Sequence, residues 1–192
     1  MTSARNETAP APAPAGAQVW GCARHAQLGP TCCQTSEVFV TSGDRARIEA
    51  HTGLRDFFEW RAPTDPVYSD QDDDPAWRDG VFRVDGTRPI LRRRPEGDCG
   101  FLGAAGCTLP LEVRPLVCRL YPYTYTERGI DGVSSGCPAE VVPPGSTILQ
   151  VLDLRRDDAE RWHRQLYAEI SPDGRAASSC EPGAEATRCG SV

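Results

Sequence analysis

The chain has 192 residues, nine of them Cys, with a formal net charge of −6 and a pI of about 5.1. All 21 cationic side chains are Arg. An acidic balance of this kind excludes the broad cationic surface that non-specific DNA or RNA binding needs, so no nucleic-acid partner is expected.

No stretch approaches the roughly 18 consecutive apolar residues of a membrane-spanning helix, and no membrane partner is expected. Met1 to Val19 lack the basic end and apolar run of a secretory signal. The cytoplasm is therefore the expected compartment, where clustered cysteines are metal ligands or redox groups more often than disulfides. The length fits one domain plus tails. Its 39% apolar content supports a modest core, but 18 Gly, 17 Pro and 25% charged residues favour loops. A fold that rich in loops commonly needs a staple.

Residues 1–18 form an Ala/Pro leader, extended and unable to bury a core. Glu37 to Val40 is a short extended run. Ser42 is placed to cap a helix from about Asp44 to His51, which Gly53 ends. A helical turn is expected from Leu54 to Trp60, and a loop over 62–80. Within that loop Asp70, Asp72, Asp73 and Asp74 lack the turn Gly and closing Glu of a calcium site and read as a solvated acidic stretch. Val81 to Val84, Asp85-Gly86 and Pro89 to Leu91 predict a hairpin. Arg92, Arg93 and Arg94 read as a solvated strand end. Residues 98–138 are short pieces punctuated by Gly, Pro and Cys. Leu116 to Tyr121 predicts a brief helix, with Pro115 in its first turn and Pro122 beyond its end. Ala159, Trp162, Leu166 and Ile170 share one face of a helix near 157–170, which His163 flanks in a structural role. Residues 171–192 are a small, polar, Gly-rich tail. The expected architecture is α+β. It is a small irregular domain over 19–170, organised around a cysteine metal cluster, with short helices, hairpins and a C-terminal helix.

The cysteines inside that domain are Cys22, Cys32, Cys33, Cys99, Cys107, Cys118 and Cys137, and His25 follows Cys22 by three positions. Thiolate and imidazole at this spacing can meet one ion at about 2.0–2.3 Å. Flanking Gly21, Gly100, Gly106, Gly136 and Pro138 allow tight turns that let sulfur atoms converge and bring N–H groups close to them. Seven thiols and one imidazole would satisfy two four-coordinate sites, an iron–sulfur cluster plus a second ion, or one multinuclear centre. The neighbouring side chains of Cys32 and Cys33 point in different directions, which suits two metals better than one tetrahedron. Cys180 and Cys189 lie in the tail and have no assigned role.

The run Cys99-Gly100-Phe101-Leu102, then Cys107, then Arg114-Pro115-Leu116-Val117-Cys118-Arg119-Leu120-Tyr121-Pro122, then Cys137-Pro138, resembles the CxxCxxCC family, the YkgJ-type cysteine-cluster proteins. The resemblance covers about residues 20–140. These proteins are described as zinc- or iron-chelating domains, so the resemblance implies zinc or iron as cofactor, with an iron–sulfur cluster as one form. Upstream, the family's second cysteine is missing, and His25 is its only nearby replacement. Within the motif, Arg119 and Arg114 would offset the charge of clustered thiolates, and Tyr121 would cover the site or donate its hydroxyl to a sulfur.

The first reading of function is a metal-binding protein with a structural or storage centre and no assignable reaction. A second is an iron–sulfur-dependent protein-modifying enzyme resembling flagellin lysine N-methylases, which share this module but are longer. A third is a redox-sensing or interaction module that loses its metal on oxidation. Metal ions are the expected partners, and no protein partner is assigned.

Overall fold

The computed structural model describes residues 31–69, 72–136 and 142–172. The leader at 1–18, Cys22, His25, Asp70, Cys137, Cys180, Cys189 and all but two residues of the expected tail lie outside the described residues.

A single turn, α1 (Cys32–Thr35), opens the described chain. Gln34 reaches back so that its side-chain oxygen accepts the Thr31 N–H at 2.9 Å. The extended run over 37–40 follows as expected. It lies along a later strand, with Val40 N–H donating to Pro89 O at 3.0 Å and Leu91 N–H to Val38 O at 2.8 Å. Helix α2 (Ser42–Thr52) is capped by Thr41 rather than Ser42: Thr41 Oγ1 accepts from Asp44 N–H at 2.9 Å, and Asp44 returns the bond to Thr41 N–H at 3.0 Å. Gly53 ends it at φ 72°, a conformation that costs glycine little.

The structure overturns the helical turn expected at Leu54 to Trp60. Phe58–Arg61 is strand β1, paired antiparallel with β2 (Arg88–Leu91), Phe58 opposite Leu91. All four residues of β2 are buried. A buried strand must satisfy both edges, so it recruits the 37–40 run on one side and the aromatic β1 on the other. The hairpin expected over 81–91 therefore does not form. A tight turn does occur at Asp85-Gly86, with Arg83 N–H donating to Thr87 O at 2.9 Å, but it carries the chain into β2, whose strand partner is β1.

The expected loop over 62–80 contains a 3-10 turn (Pro66–Tyr68) and helix α3 (Pro75–Val81). Asp74 caps α3 by accepting from Trp77 N–H at 3.1 Å, with Pro75 in the first helical position. Asp72 and Asp73 are exposed as expected, but Asp74 is buried and also accepts the Tyr167 hydroxyl.

Two two-residue strands, β3 (Leu102–Gly103) and β4 (Gly106–Cys107), pair with Leu102 opposite Cys107. Helix α4 (Leu116–Leu120) matches the expected brief helix to within a residue, although Pro115 is its N-cap rather than part of its first turn. After the cis Tyr121-Pro122 bond comes a hairpin that sequence reasoning did not anticipate, β5 (Tyr123–Thr126) with β6 (Gly129–Val133). A turn of helix, α5 (Ile148–Val151), precedes α6 (Arg156–Ile170). The α6 stripe of Ala159, Trp162, Leu166 and Ile170 is buried as predicted. His163 is buried with it, Nε2 2.7 Å from Thr126 O.

The class is α+β, with short helices, small antiparallel pairs and a C-terminal helix. Two apolar clusters hold it. One joins Phe39, Val81, Leu116, Leu120 and Tyr123 to the α6 stripe. The other gathers Val40, Ile48, Phe57, Leu91, Phe101 and Leu109 around Cys99, with Cys33 and Cys107 packed against them. Among the described residues, no helix is long and apolar enough to cross a membrane.

Candidate metal centre

Four separate stretches carry Cys32, Cys33, Cys99, Cys107 and Cys118 to one place. Cys99 N–H donates to Cys33 O at 2.8 Å, which ties the 99 loop directly to α1. Arg93 lies opposite Cys99 in an isolated bridge. The β3–β4 pair turns the chain so that Cys107 returns beside Leu102. Gly106, at φ 104°, makes that return at a backbone angle L side chains rarely adopt. Cys118 sits on α4, its N–H donating to Pro115 O at 2.9 Å. All five cysteines are free thiols lining a cavity of about 550 Å³. Val38, Leu91, Phe101, Leu109 and Val117 supply much of its apolar wall, and Tyr68, Tyr121, Tyr123 and Tyr125 are also on it.

The thiols feel one another. Cys33 has its acidity suppressed first by a hydrogen bond with Cys32 and then by burial, which moves its pKa far above the ordinary range. Cys32 and Cys33, expected to point in different directions, both line this one cavity. Burial pushes Cys99 up to about 11, with Cys33 and Cys107 adding to the effect. Burial raises Cys107 too, against the pull of the nearby Arg114 guanidinium. The open surface of Cys118 faces the cavity; protein surrounds it, and burial followed by Cys33, Cys107 and Cys99 drives its pKa well above normal. Without a cation these four groups hold their protons at neutral pH. A bound dication reverses that balance, because thiolate charge then meets positive charge at close range.

Arg114, Arg119 and Tyr121, which the motif implied around the thiols, separate. Arg114 lines the cavity, donates to Leu109 O at 3.0 Å and acts on Cys33 and Cys107. Tyr121 lines it as well, and a Cβ on Gly136 would lie 3.0 Å from its hydroxyl. Arg119 is not among the described residues lining the cavity. Its guanidinium is buried against Arg114 O at 2.8 Å, Glu112 O at 2.5 Å and the Glu112 carboxylate at 3.3 Å, so it braces the joint between the 3-10 turn (Leu111–Val113) and α4.

Arg93 was missed. Read as a solvated strand end, it donates instead to Ser36 O at 2.8 Å, to Gly97 O at 2.5 Å and to Gln34 O. A guanidinium at the end of α1 satisfies carbonyls left over by the turn that bears Cys32 and Cys33. A triple-Arg run gives no sign of which member turns inward.

Among the described residues, no group of three or more His, Cys, Asp or Glu side chains is arranged to hold a metal ion. The donor chemistry of the cavity, five thiols beside one cationic Arg, suits a thiophilic ion; their spacing is not that of a closed coordination sphere. No family model, curated protein or solved structure matches the chain.

Proposed function

We propose that the chain is a cytoplasmic metal-binding cysteine-cluster protein that takes zinc or iron, the latter singly or as an iron–sulfur cluster, at the cavity lined by Cys32, Cys33, Cys99, Cys107 and Cys118. The observation that carries this reading is that cysteines from four separate stretches share one cavity wall. Packing alone does not require that concentration of sulfur. The motif resemblance to YkgJ-type proteins points the same way and adds Cys22, His25 and Cys137 to the proposed ligand set. A cavity of about 550 Å³ has room for a multinuclear centre as well as a single ion.

The redox-sensing alternative ranks below this one. Reactive sensor thiols are exposed and have lowered pKa values, whereas Cys33, Cys99, Cys107 and Cys118 are raised. The enzyme alternative is decided by the same experiment as the metal. Protein purified anaerobically is assayed for zinc, iron and acid-labile sulfide. Stoichiometric zinc is expected for a structural centre, and iron with sulfide would favour the protein-modifying enzyme. Cys118→Ser should lower the metal content and the melting temperature, and Cys189→Ser neither. A chain that purifies metal-free, takes up neither ion and melts identically with and without a strong chelator would refute the proposal.

A further inference from the structure

The Asp44 carboxylate is completely buried, yet it belongs to none of the sulfur-bearing segments. Its Oδ2 accepts Thr41 N–H at 3.0 Å, which completes the cap of its own helix. Its Oδ1 faces elsewhere: it accepts Leu116 N–H at 3.1 Å and an Arg47 N–H at 2.6 Å. Leu116 opens α4, whose N-cap is Pro115 and offers no side-chain bond. The first N–H groups of any helix lack partners within it, and one buried without a partner is costly. A helix of five residues has little cooperativity of its own to resist that cost. The partner comes from α2, across 72 positions of sequence. Arg47 in turn holds Glu169 on α6 at 2.6 Å, so the carboxylate is itself anchored on two sides.

We propose that Asp44 is the positioning residue of the metal centre, fixing the one-turn helix that presents Cys118 by capping it from a different helix. This rests on the metal-binding reading above. Asp44 touches no ligand atom; it acts through the Leu116 N–H two residues before Cys118. Loss of that bond frees α4 to rotate, and the sulfur drifts from its place among Cys33, Cys99 and Cys107.

The test is a Co(II) titration of the reduced full chain, with affinity from chelator competition and coordination from the thiolate-to-cobalt charge-transfer band. Asp44→Ala is expected to weaken Co(II) binding about ten-fold or more, the size typical of losing a group that orients a ligand, and to diminish the band. Asp44→Asn, which keeps an oxygen for Leu116, should restore most of both. Thr41→Val is the control: it removes the side-chain cap of α2 and the hydroxyl's bond to Glu169 and costs stability, but Arg47 still holds both Glu169 and Asp44 and Leu116 N–H stays paired, so affinity and band should stay near wild type. Should Asp44→Ala fail to fold, Asp44→Ser, too short to reach Leu116, is read in its place. Wild-type affinity and band in the Asp44 variant, or an equal loss in Thr41→Val, overturns the proposal. A wild-type chain with no charge-transfer band overturns the metal reading instead. The positioning role is then read from alkylation of the metal-free chain: Asp44→Ala should speed modification of Cys118 several-fold relative to Cys107, and an unchanged ratio overturns it.

Discussion

Raising the pH should cost the metal-free chain stability, and Cys99 sets a measurable part of that cost. Burial holds its thiol proton up to about 11, against an ordinary value of 9.0. The sign follows from proton counting. Above about pH 9 the unfolded chain has released this proton while the folded chain keeps it. The unfolded state therefore binds fewer protons, and stability falls as the pH climbs from about 9 to about 11. The difference corresponds to about 3 kcal/mol at most. Urea denaturation of wild type and Cys99→Ala, with reductant and chelator present, measures it. Wild type should lose about 2–3 kcal/mol more than the variant between about pH 8 and about pH 11, a midpoint difference of about 1–2 M urea. Tyr125 and Tyr167 are also pushed up by burial and add a loss of the same sign, but one common to both proteins. Zinc should invert the pattern for the loaded protein: the ion favours thiolates, so binding strengthens as pH rises and protons are released. Parallel pH profiles for wild type and Cys99→Ala would refute the account of a thiol held neutral by its surroundings.

Two further substitutions test the frame around the site. Arg88 is 2% exposed and holds Glu37 at 2.9 Å; Arg88→Met strands part of that buried carboxylate, which keeps only Thr64 and the more distant Arg61. The expected cost is about 3–5 kcal/mol in chemical denaturation, and the double variant Glu37→Gln/Arg88→Met should recover part of it; a double variant as unstable as the single one would contradict this. Gly80→Ala would ordinarily favour a helix, but here the new Cβ would lie 2.6 Å from Ile170 O, so α3 must shift off α6. A loss of about 1–3 kcal/mol is expected, and a raised melting temperature would show that the contact is softer than the backbone geometry implies.

The sequence alone determined the features whose causes are local. The α6 helix followed from four apolar residues on one face, the end of α2 from Gly53, and the turn at Asp85-Gly86 from the one residue type that tolerates its backbone angle. Composition also marked seven cysteines and His25 as one group, and the five of those cysteines that lie among the described residues line one cavity. Tertiary structure decided what depends on partners distant in sequence. Phe58–Arg61 became a strand because buried β2 needed a second edge, which its aromatic residues suit. Arg93 and Arg119 turned inward onto carbonyls left over at two helical turns, whereas Arg92 and Arg94 reach carbonyls from the exposed surface. Asp44 became the cap of a helix 72 positions away because Pro115 could not cap it. A buried hydrogen-bonding group must find a partner wherever the fold supplies one, and that place is not written in the residues beside it.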